Sequence, residues 1–435
     1  MRTVGGMFKR ILVLTAGVAL GVGLTVGAAR LSLTGWGWFP NRELNRTTDY
    51  MRDVLQMVNR HYVDEGDVSY NHLAKLALHG MVESLDPHSE FLEAREFEDL
   101  EEQLSGDFSG IGIQVEMREG RVLVIAPIAN SPAERAGILR GDEVVSVDGK
   151  GIEKDVTMDD VVERLRGKPQ TKVSLELYRA ASNSRFQVTV ARELIKLDSV
   201  RDVQVLPDRT GYILISEFSD HTGREFEEAL NKLLQEGIDS LIVDLRNNPG
   251  GLLDAAVEVA EPFFRKGELI VSTRGRTAAD TERFRAEAAG DPLVLPMAVL
   301  INAGTASAAE VVTGALKDTR RAVIVGERSF GKGSVQSVFE LKNGEGLRLT
   351  TARYYTPAGL SIHEKGIAPN VEVVLTAEDD SKLRVQLTRG DVKDPADFKA
   401  RFGFEPIADR QLQAAMDVLR GIKRLDQRSE TVAVR

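Results

Sequence analysis

The sequence predicts an α/β protein with a layered core, a strand-rich inserted domain and helical segments at both ends. Residues 211–375 alternate short apolar strands with amphipathic helices, which is the pattern of a layered sheet. Residues 106–190 instead carry short alternating strands separated by glycine-containing turns. Residues 47–104 have apolar side chains at helical spacing, and residues 376–435 are polar and mostly helical.

Changes in composition divide the 435 residues into five segments, and this length is enough for more than one core. The segments are an N-terminal stretch with linker (1–46), a helical region (47–104), a strand-rich domain (105–192), an α/β core (193–375) and a C-terminal helical region with a disordered tail (376–435). The formal charge of −10 argues against non-specific binding of nucleic acid. The absence of cysteine excludes thiol catalysis and thiolate metal sites, and no other ligand pattern occurs, so we expect neither metal nor cofactor.

The N-terminal stretch contains an apolar run from Ile11 to Ala29 without charged residues. Basic residues precede it, and about 20 apolar residues suffice to span a bilayer. The basic flank would stay in the cytoplasm, so we expect an exported, periplasmic protein anchored to the inner membrane. Small residues at the end of the run leave a cleaved signal peptide as the alternative.

Ser307 is the candidate nucleophile of the core. It follows the predicted strand 297–301 and begins a helix, among the small residues of the stretch INAGTASAAE. Small neighbours let a substrate backbone approach, and a helix N-terminus offers free N–H groups to a developing negative charge. The N–H of Ala308 and the turn at Gly250 and Gly251 are the candidate oxyanion donors. The alternative is that Ser307 only caps the helix.

Lys332 is the candidate base, because glycines on both sides allow close approach and burial would favour its neutral form. Gln336 could orient the amine without adding charge. A solvated loop lysine is the alternative. The surrounding sequence lacks the spacing of a nucleotide-binding P-loop, so that interpretation is set aside.

Three other classes of protein remain open at this stage. A Ser-His-Asp triad could use His363 and Asp244, although no local pattern favours it. A non-enzymatic scaffold with a degenerate core is a second alternative. An acyl-CoA enzyme is a third, since such enzymes also build oxyanion holes from small-residue turns.

Six motifs together resemble the C-terminal processing peptidases, over about residues 50–375. They are SLDPHSEFL (84–92), GIGIQVE (110–116), SPAERAGILRGDEVVSVDG (131–149), LRNNPGG (245–251), GTASAAE (304–310) and GERSFGKGSVQ (326–336). The second and third also resemble a PDZ domain. The resemblance implies a layered peptidase core of the crotonase/ClpP-like type with an inserted PDZ domain.

The resemblance also implies residue roles. The nucleophile falls on Ser307, the base on Lys332 and the lysine-positioning residue on Gln336. The oxyanion donors fall on Gly250, Gly251 and Ala308. The loop that holds a substrate carboxylate falls on Gly110, Ile111 and Gly112. The residue that couples the PDZ domain to the active site falls on Arg166. This chain has Thr305 where the family more often has serine, and Gln170 where it usually has glycine.

The implied function is endoproteolysis near the C-terminus of other proteins. The PDZ domain would capture tails with apolar ends and gate the enzyme. Family members often assemble through their terminal helices, so we expect a homo-oligomer, and some members need an adaptor protein. The resemblance implies no nucleic-acid partner.

Overall fold

The computed structural model describes residues 41–433 apart from 119, 129, 154, 155, 390, 391 and 393. The apolar run at 11–29, which the sequence predicts to be an anchor, lies outside the described residues. Across the described ranges, no helix is both long and apolar enough to cross a bilayer. The chain divides into two units, and the second begins at Asp86.

The described part of the first unit contains the α-helices α1 (Arg42–His61) and α2 (Tyr70–Glu83), as the apolar spacing predicts. Asn41 and Ser69 begin them by accepting backbone N–H groups of the first turn, which is the usual way such residues cap a helix. Helix α1 has no buried residue, and Val82 is the buried residue of α2. Packing within this unit therefore covers little of its apolar surface.

The second unit starts with a strand, a helix and a second strand: β1 (Glu90–Leu92), α3 (Ala94–Ser105) and β2 (Asp107–Gly110). The sequence predicts a helical region over 47–104, and it does not predict β1. Its three residues pair with a core strand, and that pairing overrides helical spacing in so short a segment.

The inserted domain is an antiparallel sheet with two helices. Its elements are β3 (Ile113–Arg118), β4 (Arg121–Pro127), α4 (Pro132–Arg135), β5 (Asp142–Val147), β6 (Lys150–Gly151), α5 (Met158–Leu165), β7 (Lys172–Arg179) and β8 (Ser184–Ala191). The strand order is β3-β4-β5-β7-β8, with β6 paired to β5. Val122, Val161 and Leu175 are fully buried in its core. Strand β3 lies at the edge of the sheet, where another strand can be added.

The core contains two further sheets. Its elements are β9 (Glu193–Lys196), β10 (Val200–Leu206), β11 (Thr210–Ile215), α6 (Thr222–Gln235), β12 (Ser240–Asp244), α7 (Leu253–Ala260), β13 (Leu269–Gly275), β14 (Thr281–Arg285), β15 (Met297–Ile301), α8 (Ala308–Asp318), β16 (Val323–Gly326), β17 (Ser334–Glu340), β18 (Gly346–Tyr355) and β19 (Val371–Glu372). The central sheet has the order β10-β11-β12-β15-β16-β19 and is parallel except for β10. The antiparallel sheet has the order β1-β18-β13-β14, and β17 also pairs with β18.

Both faces of the central sheet are covered. Alternate strand residues such as Val243 and Val299 pack with α6, α7 and α8 in one cluster. Ile242 and Ala298 face the other way and pack against Ala415 in the last helix. This accounts for the nearly continuous apolar strands, since parallel strands buried on both faces do not alternate in polarity.

The C-terminal region forms the helices α9 (Ala377–Thr388), α10 (Pro395–Phe402) and α11 (Arg410–Ala433). The sequence predicts a disordered tail, which stays a prediction, and among the described residues α11 continues to Ala433. Its first turns are fixed by Ala415 and Leu419, which are buried against the sheet. Packing of an apolar helix face thus outweighs the polar composition of this tail.

A buried ionic network also holds α11. The guanidinium of Arg246 lies 2.5 Å from Asp244 and 2.8 Å from Asp409, and its side chain is 2% exposed. Tyr212 donates to Asp244, and Arg246 also donates to Gln411. Burying charge is tolerable only with such partners, so the end of β12 and the start of α11 are stabilised together.

Candidate active site

Ser307 lies where β15 leaves the central sheet and α8 begins. It is 8% exposed and has a φ of +53°, an uncommon backbone conformation for a residue with a side chain. Thr305 fixes the turn by donating to the carbonyl of Leu245, and the N–H of Ala306 donates to Asn248. The turn is tied to LRNNPGG by these bonds.

The glycine turn lies directly against Ser307. A Cβ atom on Gly250 would come within 2.7 Å of the Ser307 Cβ and 2.9 Å of the Ala308 nitrogen, so only glycine fits. The N–H of Gly250 donates to Asn248 at 2.8 Å in this arrangement, and its role as an oxyanion donor stays a prediction. Among the described residues, the N–H groups of Gly251 and Ala308 make no hydrogen bond.

Lys332 occupies the loop between β16 and β17. Burial lowers the pKa of its ammonium group, and the nearby charge of Arg348 lowers that pKa further, while Glu90 opposes both. Its Nζ makes no hydrogen bond or ion pair with another described residue, so the amine is not bonded to Ser307. The Tyr354 phenol is also buried, and burial raises its pKa to about 12.

Glu310 connects the two loops. Its buried carboxylate accepts the backbone N–H of Ser307 and of Lys332, each at 2.9 Å. It also accepts the N–H of Gly331 at 2.8 Å and the hydroxyl of Ser329 at 2.6 Å. Burial raises the pKa of this carboxyl group, although the four donors favour its ionised form. One side chain thus sets the spacing of the nucleophile and the lysine.

Glu310 was not identified from the sequence, although a signal was present. Serine followed three residues later by glutamate is the spacing of a capping box, and the N–H of Ser307 does bind the Glu310 carboxylate. Capping by Ser307 entered only as the alternative to its role as a nucleophile. In the structure, Ser307 occupies the cap position of α8 and also lies against the glycine turn.

Gln336 lies on β17, near but not bonded to Lys332. Its amide nitrogen donates to Thr350 at 2.8 Å and more weakly to Ser334. Its carbonyl oxygen is buried and has no hydrogen-bond partner among the described residues. An unpaired buried acceptor is unfavourable, and a lysine amine turned toward it would satisfy it.

The segment 86–92, which carried no assigned role, lies beside Lys332. Asp86 accepts both the N–H and the hydroxyl of Ser89, and Ser89 accepts the N–H of Thr350. Glu90 forms an ion pair with Arg348 at 2.7 Å. Burial lowers the pKa of His88, as does the nearby charge of Lys332. The segment therefore contributes charges around the amine.

The histidine alternative is not supported. His363 lies 3.9 Å from Glu364, whereas Asp244 is bonded to Arg246 and Tyr212. No hydrogen bond joins His363 to Asp244 or to Ser307 in the described ranges. A triad through these residues is therefore not assembled.

The loop 110–112 lies at the start of the inserted domain, directly before the edge strand β3. Gly112 has a φ of +76°, and its carbonyl accepts the hydroxyl of Ser131 at 3.0 Å. Ile111 is buried, and the N–H groups of Ile111 and Gly112 make no hydrogen bond among the described residues. Free N–H groups beside an unpaired strand edge are what a peptide carboxylate requires.

Arg166 joins the inserted domain to α3 rather than to Ser307 or Lys332. It lies 2.7 Å from Asp99 and 3.1 Å from Glu102. Nearby, Gln170 has a φ of +68°, which explains why glycine is usual at this position. The expected coupling residue thus contacts the helix that leads into the domain.

Comparison with known proteins identifies the family. Residues 209–373 match peptidase family S41, and residues 109–190 match the PDZ domain. The carboxy-terminal-processing protease of Bartonella bacilliformis is 36% identical over 432 residues, which cover 95% of this chain and 96% of that protein. The chain belongs to peptidase family S41.

Two further relatives agree with this assignment. A CtpA-like serine protease of Staphylococcus aureus is 38% identical over 326 residues, covering 74% of this chain and 64% of that protein. The crystal structure of an S41 protease from Bacteroides fragilis shares the fold, with a TM-score of 0.50 and 18% identity over 85% of this chain and 97% of that one. The predicted family and fold are confirmed, and the enzyme is a serine-type peptidase with a PDZ domain.

Proposed function

We propose that the peptidase cleaves proteins near their C-terminus by a Ser-Lys mechanism, with Ser307 as nucleophile and Lys332 as base. The observation that carries this proposal is the carboxylate of Glu310, which binds the backbone of both residues. A second support is the glycine turn, which lies against Ser307 next to two unbonded N–H groups.

The chemistry runs in two stages. Lys332, neutral at its Nζ, takes the Ser307 proton while Oγ forms a bond to the substrate carbonyl carbon. The N–H groups of Gly251 and Ala308 bind the resulting oxyanion. Collapse breaks the C–N bond, and Lys332 returns the proton to the leaving amine. Water then attacks the acyl-enzyme, with Lys332 again as base, and releases Ser307.

This mechanism requires Lys332 to move. The amine must reach the Ser307 hydroxyl, and the buried carbonyl oxygen of Gln336 is suited to accept one of its hydrogens in that position. In our proposal, the arrangement of this structure, in which Lys332 is bonded neither to Ser307 nor to Gln336, is a resting state. The PDZ domain would capture an apolar tail through the loop 110–112, and Arg166 would transmit that event through α3.

Localisation and assembly belong to the same proposal. The apolar run at 11–29 supports export and anchoring on the periplasmic side of the inner membrane, so that envelope proteins would be the substrates. Eleven of the large exposed apolar side chains, from Leu44 to Leu85, lie in the first unit, which supports self-association there. An adaptor protein remains compatible with this scheme.

The test is cleavage of an unfolded protein that ends in apolar residues. Ser307→Ala and Lys332→Ala should each abolish cleavage, because each removes one half of the proton-transfer pair. Mass spectrometry of the products from the native enzyme should locate the cut near the substrate C-terminus.

Two variants serve as controls. Lys365→Ala removes an exposed lysine of the neighbouring loop, and His363→Ala removes the histidine of the alternative triad. Both should cleave at a rate near that of the native enzyme. Retained cleavage in Lys332→Ala, or its loss in His363→Ala, would contradict the Ser-Lys assignment.

A further inference from the structure

Thr350 is a residue beside the site to which the mechanism above gives no role. It lies on β18, directly opposite Gln336 on β17, and its hydroxyl accepts a hydrogen bond from the Gln336 amide nitrogen at 2.8 Å. The hydroxyl of Ser334 accepts a longer bond from the same nitrogen, at 3.3 Å. An amide nitrogen has two hydrogens, so both can be bonded here, whereas the carbonyl oxygen of Gln336 has no partner among the described residues.

A local irregularity of β17 precedes Gln336. The register of β17 against β18 shifts between Val335 and Gln336, which indicates a bulge in this pair of strands. A bulge bends its strand and redirects a side chain, and bulges are frequent next to active sites. The bulge and the hydrogen bond to Thr350 act on the same side chain, so the backbone and a partner residue together set its orientation.

Thr350 is itself held by the segment 86–92. Its backbone N–H donates to the hydroxyl oxygen of Ser89 at 3.1 Å, and that hydroxyl donates to the Asp86 carboxylate at 2.8 Å. Asp86 also accepts the backbone N–H of Ser89 at 3.0 Å, and Ser89 is 3% exposed. A series of hydrogen bonds thus connects Asp86, through Ser89 and Thr350, to the amide of Gln336.

We propose that Thr350 is a positioning residue that holds the Gln336 amide with its carbonyl oxygen available to Lys332, and this inference rests on the proposed Ser-Lys function. A lysine ammonium has three donors and no acceptor, so it can use only the oxygen end of the amide. Hydroxyls that occupy the nitrogen end favour the orientation that the amine requires. Asp86 and Ser89 contribute by fixing the backbone of Thr350.

The same hydrogen bond makes the catalytic arrangement easier to form. A free glutamine side chain has considerable rotamer freedom, which it would lose when the amine of Lys332 binds. Because Thr350 already holds the amide, less of that freedom remains to be lost. Removal of the hydrogen bond should therefore lower the rate of the chemical step and leave substrate binding nearly unchanged.

The variant Thr350→Val tests the inference, because it keeps the size and branching of the side chain and removes only the hydroxyl. We expect kcat to fall about 10-fold, the order of effect of one lost hydrogen bond, with KM changed less than about twofold. Thr350→Ser keeps a hydroxyl at this position and should have a kcat within about threefold of native.

A double mutant shows whether Thr350 acts through Gln336. Gln336→Ala should itself lower kcat, because it removes the acceptor for the amine. Addition of Thr350→Val to Gln336→Ala should lower kcat by less than about twofold more, because the hydroxyl of Thr350 then has no amide to hold. A purely structural role of Thr350 would instead give the full additional loss.

Thr351→Val is the matched control. It removes the hydroxyl of the next residue of the same strand, which is exposed and is bonded to Ser337 at 2.6 Å. Its kcat and KM should equal those of the native enzyme. Thermal denaturation of all variants should show whether any of them has lost stability.

Four outcomes would overturn the inference. They are a kcat for Thr350→Val within about twofold of native, an equal fall in Thr351→Val, a kcat for Thr350→Ser as low as that of Thr350→Val, and a full additional loss in the double mutant. Failure of the proposed function looks different, because Ser307→Ala would then retain cleavage. Loss of cleavage in Ser307→Ala, with a native kcat in Thr350→Val, would reject the role of Thr350 alone.

Discussion

At the scale of single residues, the site combines a lysine that tends to lose its charge with a glutamate held among four donors. Lys332 is destabilised as a cation by burial and by Arg348, whereas Glu310 is surrounded by N–H and O–H groups. The two environments serve different purposes. The first favours the neutral amine that the proposed base requires, and the second fixes the backbone from which Lys332 and Ser307 extend.

The pH dependence of cleavage follows from Lys332. Only the neutral amine accepts a proton, and the folded protein lowers the pKa of this group below its ordinary value of 10.5. Activity should therefore rise with pH through the lowered pKa and reach a plateau before 10.5. Initial rates measured across the stable pH range provide the check.

The variant Arg348→Gln tests the same pH dependence, because Arg348 is one of the charges that lower the pKa of Lys332. Removing the positive charge makes the ammonium form of Lys332 more favourable, so the midpoint should move to higher pH. Glu282→Gln, at an exposed position on β14, should leave it unchanged. A profile without pH dependence, or a shift to lower pH in Arg348→Gln, would contradict the role of Lys332 as base.

The sequence predicted Ser307, Lys332 and Ala308 because each stands in a local pattern of small residues or glycines. It could not predict Glu310 as the link to the lysine loop, since that loop is distant along the chain. Nor could it predict that Asn248 binds the N–H of Gly250. Both features depend on which backbone donors the tertiary fold brings within hydrogen-bond distance.

At the scale of elements, the glycine turn after β12 determines how closely the two halves of the site approach. Gly250 has a φ of +99° and lies against Ser307, so its backbone conformation and its missing side chain are both required. Asn248 further restrains the turn by bonding Gly250 and the carbonyl of Ile215. The turn therefore has a fixed conformation and forms one side of the site.

Gly250→Ala should inactivate the enzyme, because the new Cβ must displace Ser307 or Ala308. Gly237→Ala is the matched control, since Gly237 has a φ of +80° and a Cβ added there would meet no atom within 4 Å. Both changes introduce backbone strain of about 1 kcal/mol, but only the first alters the site. Peptidase assays and thermal denaturation of both variants would separate these effects, and equal activities would contradict the steric argument.

Most core helices and central strands were predictable, because their apolar periodicity is strong. The sequence predicts a helix at 224–235 and a strand at 241–245, each within two residues of the bounds of α6 and β12. The antiparallel strands β13, β14 and β17 were not identified, since their residues are mixed in polarity and their pairing partners are remote. Pairing within the antiparallel sheet stabilises these strands, and their local sequence does not identify them.

At the scale of the whole molecule, two paired strands and several charged contacts join the inserted PDZ domain to the core, among them Arg95 with Glu163 at 2.8 Å. Strands β2 and β9 pair where the chain enters and leaves the domain. Arg166 adds a contact to Asp99 and Glu102 on α3. This helix follows the strand that carries Glu90, which is one of the charges near Lys332.

Arg166→Ala should weaken the dependence of activity on the substrate tail. We expect the ratio of cleavage rates for matched substrates with apolar and with acidic C-termini to fall several-fold, because the variant loses the ion pairs of Arg166 with α3 and keeps only the pair of Arg95 with Glu163. Arg164→Ala removes a neighbouring arginine that donates to the carbonyl of Gly151 instead, and it should preserve the ratio. An unchanged ratio in Arg166→Ala would contradict the proposed coupling.

The network around Arg246 has a consequence for the glycine turn. Asp409 lies 163 positions after Arg246, so one buried charge is shared by two parts of the sequence that are far apart. Arg246 directly precedes the residues of the glycine turn. Unfolding of the start of α11 would remove a counter-charge from the segment that carries this turn, so the stability of the two parts is linked.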